Sequence, residues 1–224
     1  MSIVVPAITE QNVEDVNAEW LKVQSFASRV HLDLMDGQFA PGTPIPISSL
    51  SWSEGWDVDM HLMYQQPMEQ LAALTAMNPK PSLVVFHAEA EGDLSAFVKG
   101  LKDADIKAGL ALMRSTVPSD KADLISAVDH VLIFSGDLGK HGGKANMLQL
   151  EKVQLIHKIN EEVEIGWDGG ANVDNAYTLA LGGIDVINVG HALADVQDPE
   201  EVYRKFDFEI HRKDMLKKKE EKEA

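Results

Sequence analysis

Apolar residues along the chain form short runs that alternate with longer stretches of helical periodicity. Some runs alternate with polar residues at period two, whereas others, such as SLVVFH, are apolar almost throughout. A strand buried on both faces of a sheet carries a run of the second kind. The pattern predicts eight strands, at 3–8, 31–37, 56–63, 82–87, 106–112, 128–134, 163–167 and 184–189.

The stretches between these runs carry apolar residues at the spacing of amphipathic helices. Thr9 is predicted to cap the first helix and Asp93 a later one, and further helices are predicted over 147–159, over 172–181 and from 198 onward. Strands that alternate with helices indicate a parallel sheet with helical crossovers. The chain is therefore predicted to be a single-domain α/β protein.

Eight strand–helix units in about 200 residues favour a closed (β/α)₈ TIM barrel. The alternative, an open doubly wound sheet, usually has a Gly-rich phosphate loop after its first strand, and the segment PAITEQN has none. The barrel domain is predicted to cover 1–210. The charged segment 211–224 is predicted to be a frayed helix or a disordered tail.

Composition and net charge limit the classes of molecule that the protein is expected to bind. The formal net charge is −16, which argues against nucleic acid or an anionic membrane as a partner but is compatible with an anionic small molecule. The chain has no cysteine, which excludes disulfides and thiolate metal sites. Because no signal peptide or membrane-spanning run is evident, we expect a cytoplasmic protein.

Four polar residues lie near the C-terminal ends of predicted strands: His31, Asp33, His61 and Asp168. The first two point into the barrel, because their apolar neighbours occupy the alternate positions. Since catalytic groups of these barrels lie at this end, we expect all four to converge. Two imidazoles and two carboxylates suit zinc, manganese, iron or cobalt better than calcium or magnesium.

Glycines follow the last three strands, where these barrels commonly bind phosphate. They are Gly142 and Gly143, between Lys140 and Lys144, then Gly169, Gly170 and Gly190. A metal beside two carboxylates, with a phosphate anchor across the mouth, favours proton abstraction next to a carbonyl through a metal-stabilised enediolate. If one carboxylate removes a proton and the other returns it to the opposite face, the reaction inverts a stereocentre.

From Ile3 to Phe206 the chain resembles the ribulose-phosphate 3-epimerase family of metal-dependent barrel enzymes. The ordered set HLDLMDGQFAP, DMHLM, FHAEA, AGLAL and WDGG carries the resemblance. It implies an enzyme of the pentose phosphate pathway that converts D-ribulose 5-phosphate to D-xylulose 5-phosphate. It also implies Zn²⁺ or a similar ion as cofactor and assembly into a homo-oligomer. It also implies these roles: His31, Asp33, His61 and Asp168 as ligands, Asp33 and Asp168 as the acid/base pair, Met35 and Met63 lining the site, and His87 and Glu89 supporting the ligands.

The residues expected to contact the substrate depart from the family pattern. Pro-Ser near the N-terminus becomes Pro6-Ala7, Asn-Pro on strand five becomes Met113-Arg114, and a methionine on strand six becomes Phe134. The phosphate loop P-G-F-G-G-Q becomes GDLGKHGGK, and Gly-Ser after strand eight becomes Gly190-His191. The predicted phosphate contacts are Gly142, Gly143, Gly169, Gly170, Gly190 and His191.

Three alternatives to this substrate and function remain. The first is a related ketose phosphate, such as allulose 6-phosphate, as substrate. The second is a barrel that binds metal and phosphate without catalysis. The third is the decarboxylase and aldolase-like class related to orotidine phosphate decarboxylase, but HLDLMD and DVDMHLM lack the lysine of its Asp-x-Lys-x-x-Asp pattern.

Overall fold

The computed structural model describes residues 1–139, 142–194 and 196–223, with side chains through Arg212. Eight parallel strands pair in sequence order, and β8 pairs with β1, so the sheet is a closed barrel. The strands are β1 Ile3–Ile8, β2 Arg29–Met35, β3 Asp57–Met63, β4 Leu83–His87, β5 Lys107–Leu112, β6 His130–Phe134, β7 Glu164–Asp168 and β8 Val186–Val189. The predicted single-domain (β/α)₈ barrel is confirmed.

Helices cover the outside of the barrel. They are α1 Val13–Val23, α2 Leu71–Ala76, α3 Leu94–Asp103, α4 Ala122–Ala127, α5 Glu151–His157, α6 Val173–Leu181, α7 His191–Ala194 and α8 Pro199–Glu223. Short 3₁₀ turns occur at Ile47–Ser49 and lead into three of the helices, at Pro67–Gln70, Pro118–Lys121 and Met147–Leu150. Across the part of the chain that the structure describes, no helix has both the length and the apolar character needed to cross a bilayer.

The start of α1 corrects one prediction. Asn12, not Thr9, is the N-cap, and its side chain accepts a hydrogen bond from the Asp15 backbone N–H at 2.9 Å. Asp93 caps α3 as predicted, since it accepts from Ala96 N–H. Thr9 lies one residue beyond β1, and this position leaves its hydroxyl available to the barrel mouth.

Side chains of β2 divide between two environments as the period of two predicts. Val30, Leu32 and Leu34 belong to the hydrophobic core between sheet and helices, while His31 and Asp33 bond to groups inside the barrel. In the register of β2 against β3, Asp33 pairs with His61 and Met35 with Met63. Because in-register side chains of adjacent strands share a face, this register brings the predicted ligands together.

The N-terminal end of the barrel holds a second polar group of residues. Arg29 Nε donates to Asp59 Oδ2 at 2.9 Å, and both terminal nitrogens of Arg29 donate to the carboxylate of Glu164, at 3.0 and 2.9 Å. His130 Nδ1 lies 2.8 Å from Glu164 Oε2. Strands β2, β3, β6 and β7 are thus linked by a guanidinium, an imidazole and two carboxylates at the end opposite the predicted site.

Candidate metal centre and active site

The structure brings His31, Asp33, His61 and Asp168 into one cluster at the C-terminal end of the barrel. Each offers one ligand atom, and these atoms all lie within 4.8 Å of one another. Asp33 Oδ1 lies 2.8 Å from His61 Nδ1 and 3.3 Å from His31 Nε2, and Asp168 Oδ2 lies 3.9 Å from His61 Nδ1. Three separate strands supply the four residues.

His61 lies between Asp33 and His87, and each of its ring nitrogens faces one of them. Its Nδ1 lies 2.8 Å from Asp33 Oδ1, and its Nε2 lies 2.9 Å from His87 Nε2. Glu89 Oε1 accepts from Met113 N–H and from the Thr116 hydroxyl, and Glu89 Oε2 lies 3.4 Å from His87 Nδ1. When the single proton of a neutral His61 is on Nε2, its Nδ1 presents a lone pair towards Asp33.

Imidazole nitrogens and carboxylate oxygens thus converge, with His61 Nδ1 2.8 Å from Asp33 Oδ1. His31 Nε2 is buried beside them and has no hydrogen-bond partner among the described residues. Such a group requires protons or a cation between its members. Imidazole nitrogens and carboxylate oxygens in this arrangement fit a divalent transition ion such as Zn²⁺.

The two carboxylates have pKa values that are shifted in opposite directions. Burial alone would raise the pKa of Asp33, but the neighbouring imidazoles of His31 and His61 outweigh burial and lower it. Burial, together with the charge of Asp33, raises the pKa of Asp168 to about 6. Two neighbouring carboxyl groups whose pKa values differ in this way are typical of an acid and a base that act together.

Groups behind the ligands hold them in place. The Thr9 hydroxyl donates to Asp33 Oδ2 at 2.6 Å, and Asn188 Nδ2 lies 3.1 Å from His31 Nδ1. Burial lowers the pKa of His87 to about 4, so that it is neutral at pH 7. His87 contacts the predicted ligand His61 from behind, Glu89 lies behind His87, and neither belongs to the four-ligand cluster.

A cavity of about 200 Å³ opens beside the cluster. Asp33, Asp168 and Met63 line it, together with all six predicted phosphate contacts, Gly142, Gly143, Gly169, Gly170, Gly190 and His191. A Cβ atom on Gly169 would lie 2.1 Å from Gly136 N, and one on Gly170 would lie 2.2 Å from Ala145 N. Both glycines also have positive φ, so the turn after β7 can approach the β6 loop only without side chains.

The remaining predicted positions divide between the cavity and its surroundings. Met35 packs with Met63 and Ala40 in a small apolar cluster, and only Met63 of the two methionines is among the cavity-lining residues. Phe134 forms an apolar wall, with its ring centroid 5.9 Å from that of His61. Lys144 is exposed, and Lys140 lies outside the described residues.

Two site residues, Thr9 and Asn188, are not predicted from the sequence. The sequence predicts Thr9 as a helix cap and assigns no role to Asn188, although both line the cavity and bond to predicted ligands. The available signal for Asn188 was a buried polar residue inside the otherwise apolar strand VINV. A threonine that follows a strand carries no comparable signal, because Thr is common in strands and at helix starts.

Comparisons with known proteins agree with this geometry. The chain is 29% identical over 204 residues to the ribulose-phosphate 3-epimerase of Mycobacterium leprae, which covers 86% of this chain and 84% of that protein. It is 30% identical over 183 residues to the ribulose-phosphate 3-epimerase of Schizosaccharomyces pombe, with 77% and 78% covered. The crystal structure of 3-hexulose-6-phosphate synthase from Salmonella typhimurium shares the fold, with a TM-score of 0.67, 17% identity and coverage of 94% and 99%.

The model of the ribulose-phosphate 3 epimerase family matches residues 3–194, which include all four clustered residues and every glycine of the cavity named above. This match spans most of the chain, from β1 to α7. The chain therefore belongs to the ribulose-phosphate 3 epimerase family.

Proposed function

We propose that the protein is a metal-dependent epimerase that inverts C3 of a ketose phosphate, with D-ribulose 5-phosphate and D-xylulose 5-phosphate as its substrate pair. The observation that carries the proposal is the pair Asp33 and Asp168, held with two imidazoles in one cluster beside a glycine-lined cavity. The family membership of the chain supports the same reaction class.

The acid/base roles are assigned to the two carboxylates. In the direction that begins with Asp33 ionised and Asp168 protonated, Asp33 removes the C3 proton and Asp168 returns a proton to the opposite face. The lowered pKa of Asp33 and the raised pKa of Asp168 make Asp168 the carboxyl group of the pair that holds a proton more readily. The reverse reaction exchanges the two roles. Thr9 orients the Asp33 carboxylate, since its hydroxyl occupies the second oxygen.

His31, Asp33, His61 and Asp168 would hold the divalent ion. Zn²⁺ is the proposed ion, and Fe²⁺, Mn²⁺ and Co²⁺ fit the same donor set. When bound, such an ion supplies positive charge that stabilises the negative charge developing on the substrate oxygens. The side chains of Met63 and Phe134 border the cavity and would keep water from the reacting carbon.

The phosphate of the substrate is assigned to the glycine side of the cavity. Gly142, Gly143, Gly169, Gly170, Gly190 and His191 line this side, and Asn172 there begins α6. Backbone N–H groups of glycine turns and of a helix start suit an anion. They require no large positive net charge, which agrees with a chain of formal charge −16.

A related ketose phosphate, such as allulose 6-phosphate, is a second candidate substrate. Ala7 lines the cavity at the position where the family pattern has a serine hydroxyl, so one polar contact to the sugar is replaced by a methyl group. A barrel that binds these groups without catalysis is a third candidate, and the intact carboxylate pair weighs against it. A homo-oligomer and a cytoplasmic location stay predictions.

Isotope exchange tests the proposal. The metal-free protein is loaded in turn with Zn²⁺, Fe²⁺, Mn²⁺ or Co²⁺ and incubated in D₂O with each ketose phosphate, while deuterium at C3 is followed by NMR. We expect exchange with ribulose 5-phosphate in at least one metal form. Exchange with allulose 6-phosphate alone would favour the second substrate, and no exchange with either in any metal form would overturn the epimerase proposal.

A further inference from the structure

We infer that Asn188 is a positioning residue that serves His31 in two ways: its amide donates to Nδ1 when the metal site is empty and accepts from Nδ1–H when a metal is bound. The inference rests on the proposed metal site. Its basis is a buried pair, because both side chains are almost fully enclosed and Asn188 Nδ2 lies 3.1 Å from His31 Nδ1.

In the observed arrangement Asn188 is the donor. An amide Nδ2 can only donate, so His31 Nδ1 must be a lone pair and the proton of a neutral His31 must be on Nε2. This Nε2 lies 3.3 Å from Asp33 Oδ1, on the side of the metal cluster. The arrangement suits a protein without metal, since the proton on Nε2 faces a carboxylate.

A bound metal requires the opposite tautomer. Nε2 is the nitrogen that faces the other ligand atoms, so it must present a lone pair to the ion, and the ring proton must move to Nδ1. The partner of Nδ1 must then accept. A half-turn of the Asn188 amide places Oδ1 where Nδ2 was, and Oδ1 has no other hydrogen-bond partner among the described residues.

The other imidazole has a different kind of support. His61 Nε2 lies 2.9 Å from His87 Nε2, and His87 Nδ1 lies 3.4 Å from the Glu89 carboxylate. The negative charge of that carboxylate favours a proton on His87 Nδ1, and therefore the same tautomer of His61, with or without metal. His31 has an amide in the equivalent place, and an amide offers a donor and an acceptor of nearly the same shape, which suits Asn188 to both states.

NMR of the histidine side chains tests the inference on the wild-type protein. Long-range ¹H–¹⁵N spectra distinguish a protonated ring nitrogen from an unprotonated one, and His31 signals are assigned by their absence in His31→Gln. We expect Nε2–H in the metal-free protein and Nδ1–H in the protein loaded with Zn²⁺. The same tautomer of His31 in both states would overturn the inference.

Metal affinity provides a second readout, measured by competition with a chelator. Asn188→Leu has a similar volume and no acceptor, and we expect it to bind Zn²⁺ about 10–100-fold more weakly than wild type. Asn188→Asp keeps an acceptor, and we expect its affinity to equal or exceed that of wild type. Asn160→Leu is the control, because the Asn160 side chain donates to the carbonyls of Ile125 and Val128, and its loss should lower stability without lowering Zn²⁺ affinity.

The outcomes separate this inference from the proposed function. If wild type binds none of the four metals, the proposed metal site fails. If wild type binds Zn²⁺ and Asn188→Leu binds it equally well, the metal site stands and the role of Asn188 fails. A raised KM in Asn188→Leu with unchanged metal affinity would make Asn188 a substrate contact instead, and would also overturn the inference.

Discussion

The two ends of the barrel interior are built from similar residues. They differ in whether the chain itself supplies a fixed positive charge to the carboxylates. The N-terminal end holds Asp59, Glu164 and His130, and Arg29 supplies a fixed cation that contacts both carboxylates. The C-terminal end also holds two carboxylates, here with two imidazoles, but no lysine or arginine is among the described residues that line the cavity beside them.

The structural polar group and the candidate functional one differ in the source of their positive charge. At the N-terminal end, Arg29 donates to both carboxylates and supplies that charge from within the chain, although Asp59 Oδ1 has no hydrogen-bond partner among the described residues. At the C-terminal end, imidazoles and carboxylates converge, with His61 Nδ1 2.8 Å from Asp33 Oδ1, and a proton or a bound cation would complete the group. The role predicted for a buried His or Asp therefore depends on whether neighbouring side chains supply the opposite charge.

Replacing one carboxylate by an amide at each end of the barrel should give the largest difference in C3 deuterium exchange. Asp168→Asn keeps the shape and removes the acid/base group, so we expect C3 deuterium exchange to fall about 10²–10⁴-fold while the protein still folds. Asp59→Asn makes the same change at the N-terminal end of the barrel, and its folded form should catalyse C3 deuterium exchange at the wild-type rate. The measurements are NMR exchange, circular dichroism and metal content.

Metal content decides between two causes of a loss in Asp168→Asn. A variant that retains its metal and loses exchange has lost the acid/base group, as the proposal requires. A variant that retains its metal and exchanges at the wild-type rate would remove Asp168 from the reaction. If Asp59→Asn lost exchange equally, the two ends of the barrel would not be separable in function.

Removal of the fixed cation should mainly affect stability. Arg29→Met leaves the buried Asp59 without its counter-charge, and we expect the free energy of unfolding to fall by about 3 kcal/mol while metal binding survives. Arg204→Met is the matched control, since Arg204 forms an exposed pair with Glu200 on α8 and its replacement should cost less than about 1 kcal/mol. Urea denaturation measures both, and equal losses would contradict the role given to Arg29.

The smallest predicted effect is the pH dependence of the same network. Burial alone would raise the pKa of Glu164, but hydrogen bonds from His130 and Arg29 outweigh burial and lower it below the ordinary value of 4.5. A depressed folded-state pKa contributes stability that is present above 4.5 and is lost as the pH falls through the folded-state value. Because Glu164 is partly exposed, we expect a contribution of about 1 kcal/mol.

Glu164→Gln tests this sign. Its urea midpoint should lie below that of wild type at pH 7, and the two midpoints should converge as the pH falls below 4.5. Divergence toward acid pH would mean that the Glu164 carboxyl is stabilised in its protonated form. The exchange reaction is unaffected in this comparison, because Glu164 lies at the end opposite the cluster.

Much of the fold could be predicted because its signals are local. Each strand is a short apolar run and each helix carries its own periodicity, so the order of elements follows from the pattern alone. The largest error in the strand bounds is two residues, at both ends of β2 and at the starts of β6 and β8. Thr9 was misassigned because a hydroxyl residue before a helix fits a cap equally well, and only the position of Asp33 in space decides otherwise.

The chain by itself determined the barrel, its family and the residues able to bind a cation, since these depend on residue type and period along the sequence. Tertiary structure alone decided which neighbours complete each group: Arg29 with Asp59, Thr9 with Asp33, His87 with His61 and Asn188 with His31. The reason is physical. Hydrogen-bond direction and charge balance arise between strands that are distant in sequence, and barrel closure brings these strands together.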